Sequence, residues 1–105
     1  MKISEAILKG CEIVPRQSIG NYFQYGYDNK GRYLFSACAV GAALLAVGYD
    51  PMAGKLASMI EYGAKIEGFE NTRKRFPIDM IIINCNDRFG WTREQIAAAL
   101  AREDN

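Results

Sequence analysis

Cys38 is the residue whose type and position come nearest to chemistry. It stands two residues after Ser36, a good helix N-cap, and just ahead of the run Ala39-Val40-Gly41-Ala42-Ala43-Leu44-Leu45-Ala46-Val47. A thiol in the first turn of a helix feels the positive end of the macrodipole, which favours the thiolate. Cysteine hydrolases use that placement and pair it with a base, normally histidine. The chain contains no histidine, so no His-based triad, proton shuttle or His metal ligand exists within it. The simpler reading of Cys38 is a small residue demanded by tight helix packing.

A second polar group gathers at Asn86, Asp87 and Arg88, close to Asn84. These residues would form a polar site between two helices, or cap the preceding helix and order the turn to Gly90. Asp87 is also placed to pair with Arg88 or Arg93. It is a poor metal site alone, because calcium and magnesium want several oxygen ligands. Neither Asp28, Asp50 nor Asp79 stands at ligand spacing around it. The expectation is therefore no metal and no cofactor. The densest basic cluster, Arg73-Lys74-Arg75-Phe76, joins Lys30 and Arg32 as a possible phosphate-binding set. A net charge of only +1 argues against nucleic acid as the main partner.

The aromatic residues form the third group. Six of the chain's twelve fall between Tyr22 and Phe35, around the turn-forming Asp28-Asn29-Lys30-Gly31. Tyrosine offers a large apolar area with a polar tip, the composition favoured at interfaces. Tyr25, Tyr27 and Tyr33 are the candidate binding residues here. The competing role for these rings is to cover a helix of small residues that has little side-chain volume of its own.

The elements that would position these groups follow from periodicity. Ile3, Ala6, Ile7, Cys11 and Val14 share one face of a helix over 3–14, with Ser4 or a neighbour as its cap and Pro15 as its stop. Residues 15–21 form a loop. Phe23, Tyr25 and Tyr27 alternate as one arm of a β-hairpin, with a slip or bulge expected near Gly26. The small-residue run after Ser36 is apolar all round, which marks a central buried helix ended by Gly48. Asp50-Pro51 opens a helix over about 51–66. Gly68 and Glu70 to Arg75 then form a connector. For 78–84 the β-branched run favours strand, whereas Ile78, Ile81, Ile82, Cys85 and Phe89 keep helical spacing, and helix is preferred. Thr92-Arg93-Glu94-Gln95 is a capping box opening a last helix over 92–103, with Ile96, Ala99 and Leu100 as its buried edge. Trp91 is placed to staple that helix, and the final Arg-Glu-Asp-Asn is expected to fray.

Two short words are more specific than these patterns. Cys38-Ala39-Val40-Gly41-Ala42 and Asn86-Asp87-Arg88-Phe89-Gly90-Trp91-Thr92 together resemble a family of small uncharacterised bacterial, phage and plant proteins. Its members pair a Cys-Ala-x-Gly-Ala helix with an Asn-Asp-x-x-Gly-x-Thr motif, and an aromatic, glycine-rich stretch precedes the cysteine. The resemblance covers roughly 20–100. It departs at Val40 and Ala43, where relatives carry leucine. It implies a single domain and brings no activity with it.

With 105 residues, half of them hydrophobic, the chain makes one globular domain over 1–105. The expected fold is mainly α (α+β), four to five helices around a small-residue central helix with one small β-hairpin. Three widely spaced cysteines suit neither a disulfide framework nor a zinc knuckle. The N-terminus has no signal-peptide core and no run spans a bilayer. A cytoplasmic, non-enzymatic binding or protein-interaction module is the leading functional expectation. The alternatives are a small enzyme centred on Cys38 with Asn86 and Asp87, or a weak nucleic-acid binder.

Overall fold

The computed structural model describes residues 1–53, 56–67 and 78–103. The basic cluster Arg73 to Arg75, the connector and the C-terminal Asp104-Asn105 lie outside them. The fold is mainly α with one small hairpin: α1 (Ile3–Ile13), β1 (Phe23–Tyr27), β2 (Tyr33–Ala37), α2 (Ala39–Ala46), a 3-10 turn (Pro51–Ala53), α3 (Leu56–Gly63), α4 (Ile78–Asp87) and α5 (Arg93–Glu103).

Helix α2 is the centre, as its all-round apolar sequence requires. Ala39, Val40, Ala42, Ala43, Leu44 and Ala46 are all buried. Small side chains let α1 lie directly on its backbone. A Cβ placed on Gly10 of α1 would overlap the Ala42 carbonyl, and one on Gly41 would overlap the carbonyl of Tyr22. The core is completed by Ile3, Ala6 and Ile7 from α1, Ile82 from α4, Ile96 and Ala97 from α5, and by Tyr49 and Ile66. α2 ends in a Schellman turn. The N–H of Tyr49 donates to the Leu44 carbonyl and that of Gly48 to Leu45, with Gly48 at φ +95° where a side chain would be strained.

Several local expectations are corrected. Ser36 belongs to β2, and Cys38 is the N-cap of α2, its Sγ accepting from the Gly41 N–H at 3.4 Å. Ser4 is a buried residue inside α1; the cap is Lys2, with no side-chain hydrogen bond. Of the helix expected over 51–66, the described residues form a 3-10 turn at Pro51–Ala53, where Asp50 Oδ1 accepts from the Met52 N–H, and a helix only from Leu56 to Gly63. The segment at 78–84 is helix, but only Ile82 and Asn86 of α4 are buried, and Ile81 and Phe89 are exposed. In α5 the buried residues are Arg93, Ile96 and Ala97, with Ala99 and Leu100 half-buried.

The hairpin is regular. Phe23 pairs with Ala37, Tyr25 with Phe35 and Tyr27 with Tyr33, with no bulge at Gly26. Its loop is held by Asp28. The Asp28 N–H donates to the Arg32 carbonyl, its Oδ1 accepts from the Lys30 and Arg32 N–H groups at 2.9 Å, and its Oδ2 meets Arg32 Nε at 2.7 Å. Gly31 takes φ +75°, the left-handed position such a loop demands. The N–H of Arg32 donating to it, first among several contacts, holds the Asp28 carboxyl below its usual range.

The Gly10 contact yields a direct test. Gly10→Ala forces the two helix backbones apart and is expected to cost about 1–3 kcal/mol or more in chemical denaturation. Gly26→Ala, whose Cβ meets nothing within 4 Å, is expected to be neutral or stabilising by roughly 0.5 kcal/mol. Equal effects at the two sites would refute the close approach of α1 and α2.

Candidate functional site

The two words singled out in the sequence meet in space. Asn86, in the last turn of α4, is completely buried. Its Oδ1 accepts from the Ala39 N–H at 3.2 Å, the first turn of α2, and from Gln17 Nε2 at 2.7 Å. Its Nδ2 donates to the Ser18 carbonyl at 2.9 Å and to Asp87 Oδ1 at 2.8 Å. The same Asp87 oxygen accepts from the Gly20 N–H at 2.9 Å. The amide thus uses both of its ends to join α4, α2 and the loop 17–20.

Gln17 extends this node. Its Nε2 also donates to the Trp91 carbonyl at 2.8 Å, and its Oε1 accepts from the Arg93 N–H at 3.3 Å. Trp91 itself is partly exposed, and its N–H donates to the Cys85 carbonyl. The capping box forms as the sequence indicates: the Thr92 N–H donates to Gln95 Oε1 and the Gln95 N–H to Thr92 Oγ1.

Arg93 is the residue that sequence reasoning missed. It is only 1 % exposed. Its Nη1 donates to the carbonyls of Val14 at 2.6 Å and Ala37 at 3.3 Å, and its Nη2 to that of Pro15. Val14 is the C-cap of α1, so the guanidinium sits at the negative end of that helix, whose own last turn carries no basic residue. The signal was available: Arg93, Ile96, Ala97 and Leu100 share one face of α5 by helical spacing. Nε of Arg93 is buried without a hydrogen-bond partner.

Cys38 lies beside this node, buried, with Tyr22, Ile83 and Asp87 around an adjacent surface depression. Burial pushes its thiol up, against the lowering effect of the Gly41 and Val40 N–H groups. Desolvation therefore outweighs the helix N-terminus, and the thiol keeps its proton at neutral pH. Arg88 stays outside: it is exposed, and its N–H donates to the Asn84 carbonyl in the helix. Among the described residues no cluster of three or more Cys, Asp or Glu side chains is arranged to hold a metal ion. No described helix is long and apolar enough to cross a membrane.

The tyrosines form a separate surface. Cross-strand pairing puts Phe23, Tyr25, Tyr27, Tyr33 and Phe35 on one face of the hairpin. Tyr27 and Tyr33 meet edge to face at 5.8 Å, Tyr33 and Tyr25 tilt together at 6.2 Å, and Tyr25 stacks on Phe35 at 5.0 Å. The row continues through Phe23 to Tyr49 and Tyr62, where Lys65 Nζ lies 4.3 Å from the ring centre. Its inner end is anchored in the core; its outer end is open, with Tyr27 74 %, Tyr33 55 % and Tyr25 44 % exposed. The inner rings therefore cover the core, and the outer three stand open to solvent.

Two outcomes test this description. Asn86→Ala is expected to cost about 2–5 kcal/mol of stability, since it orphans buried partners as well as opening a void. Asn86→Asp sets a second carboxylate against Asp87 and raises its own pKa, so its deficit is expected to grow as pH rises and shrink as pH falls in denaturation curves. In native alkylation with iodoacetamide, the half-buried Cys11 and Cys85 are expected to react first and Cys38 only at the rate of unfolding. Immediate labelling of Cys38 would contradict its assignment as a packed cap. Neither a family model, nor a curated protein, nor a solved structure matches this chain.

Proposed function

We propose that this protein is a non-enzymatic interaction module whose binding surface is the open end of the aromatic row, and that its partner is another protein. The observation that carries this reading is the exposure of Tyr25, Tyr27 and Tyr33 side by side on one hairpin face, with their rings already braced against Phe35 and Phe23. Rigid, amphipathic rings lose little entropy on binding, which is why tyrosine is frequent among interface hot spots. Partial desolvation, first among several causes, raises the Tyr25 phenol, and a protonated tyrosine hydroxyl is both donor and acceptor.

The Cys38 and Asn86-Asp87 words serve this reading as scaffold. Their hydrogen bonds fix the loop that leads into β1 and the start of α2 that follows β2. The resemblance to the small bacterial, phage and plant proteins would then reflect a shared way of holding the hairpin. A cytoplasmic site of action belongs to the same proposal, supported by three free cysteines.

The test is affinity capture with Tyr27→Ser, a change at the most exposed ring that leaves the core untouched. A hot-spot tyrosine is expected to weaken a specific partner by about 2 kcal/mol or more, roughly 30-fold, with the unfolding midpoint unchanged. Identical capture by wild type, Tyr27→Ser and Tyr33→Ser would reject the aromatic face as the binding surface.

A further inference from the structure

The hairpin has an edge as well as a face, and the two are chemically independent. The Cys38 N–H donates to the Tyr22 carbonyl and the Asp28 N–H to the Arg32 carbonyl, both in the register that pairs Tyr25 with Phe35. In an antiparallel ladder these inward-bonded positions alternate with outward ones. Residues 22, 24, 26 and 28 therefore face β2, and the N–H and C=O groups of Phe23, Tyr25 and Tyr27 point away from it. No described residue takes those groups. The outer edge of β2 differs. At Ala37 its N–H donates to the Arg16 carbonyl and its carbonyl accepts from the Ser18 N–H, so part of that edge is closed.

We propose that β1 pairs with β1 of a second copy of this chain, giving a closed dimer with a four-stranded antiparallel sheet. Three features of β1 point to a copy of itself. First, Phe-Gln-Tyr-Gly-Tyr carries no charge, so antiparallel self-pairing brings no like charges together. It also lacks the lysine, proline or bulge with which edge strands are normally protected. Second, a two-fold axis at Tyr25 sets Tyr25 opposite its own copy and Phe23 opposite Tyr27, so aromatic meets aromatic along one face. On the other face Gln24 falls opposite Gly26, whose missing Cβ leaves open space. About six backbone hydrogen bonds form across the axis, two for each outward-facing residue pair. Third, the partial closure of the β2 edge at Ala37 disfavours β1-to-β2 addition, which would propagate into a filament where the isologous pair closes. A lone two-stranded ribbon is marginal in water, and two more strands relieve that. With five residues a side, the contact is smaller than a standard interface and gives a weak, reversible dimer.

This pairing uses the backbone edge and does not depend on the ring-face reading. The experiment is sedimentation equilibrium of the whole chain from micromolar to near-millimolar concentration, at physiological salt. Wild type is expected to pass from monomer to dimer and stop there. Tyr25→Pro removes one outward N–H without touching the ladder to β2 and is expected to stay monomeric with an unchanged circular dichroism spectrum. Tyr25→Thr keeps the N–H, loses the ring, and is expected to dimerise still. Wild type monomeric throughout, dimerisation of Tyr25→Pro equal to wild type, or open-ended growth of wild type would each overturn the proposal. Should Tyr25→Pro unfold, amide exchange in wild type decides: slowing of Phe23, Tyr25 and Tyr27 with concentration supports the pairing, and fast exchange at every concentration overturns it.

Discussion

A single buried amide carries much of this structure. Asn86 has no access to solvent, and each of its hydrogen-bonding ends is occupied by a group from elsewhere in the chain. A primary amide suits the position because it offers acceptor and donor a short distance apart, without a charge to desolvate. It meets a free N–H at the start of α2 and a carbonyl in the loop before the hairpin, two groups that would otherwise be buried unpaired. The loop entering β1 and the helix leaving β2 are thereby tied to α4, and the hairpin between them is held at both of its roots.

Arg93 repeats the logic with a charge. A buried guanidinium without a carboxylate is costly. Here the carbonyls at the C-terminal end of α1, together with Ala37, take that place. The arrangement locks α5 to the end of α1 and to the last residue of β2. The α1–α2 contact complements these two polar anchors: Gly10 and Ala42 bring backbones together, and dispersion replaces side-chain volume. The aromatic row then grows outward from Tyr49, so the hairpin's exposed rings are continuous with the core that steadies them.

Much of this was legible in the residue order. The apolar small-residue run announced a central helix, Gly48 its end, Thr92 and Gln95 a capping box, and the alternating rings a hairpin. Each depends on neighbours in sequence, where local propensity and periodicity decide. The errors share the opposite cause. Ser36 is as good a cap as the sequence offers, but continued pairing of β2 to Ala37 moves the helix start to Cys38. Burial of the Cys38 thiol raises its pKa and so opposes the thiolate that its helix position alone would favour.

The sequence by itself determined the class of fold, the absence of histidine chemistry, and which residues were worth weighing. Hydrophobic periodicity and turn chemistry are properties of short stretches, so they survive without coordinates. Only the tertiary structure decided that Asn86 and Cys38 sit in a packed junction, that Arg93 is buried, and that Tyr25, Tyr27 and Tyr33 stand open at the end of a braced row. For Asn86 and Arg93 the partners lie 47 and 79 residues away in the chain, and for the cysteine and the rings the outcome rests on how much water each group loses. No local pattern records either quantity.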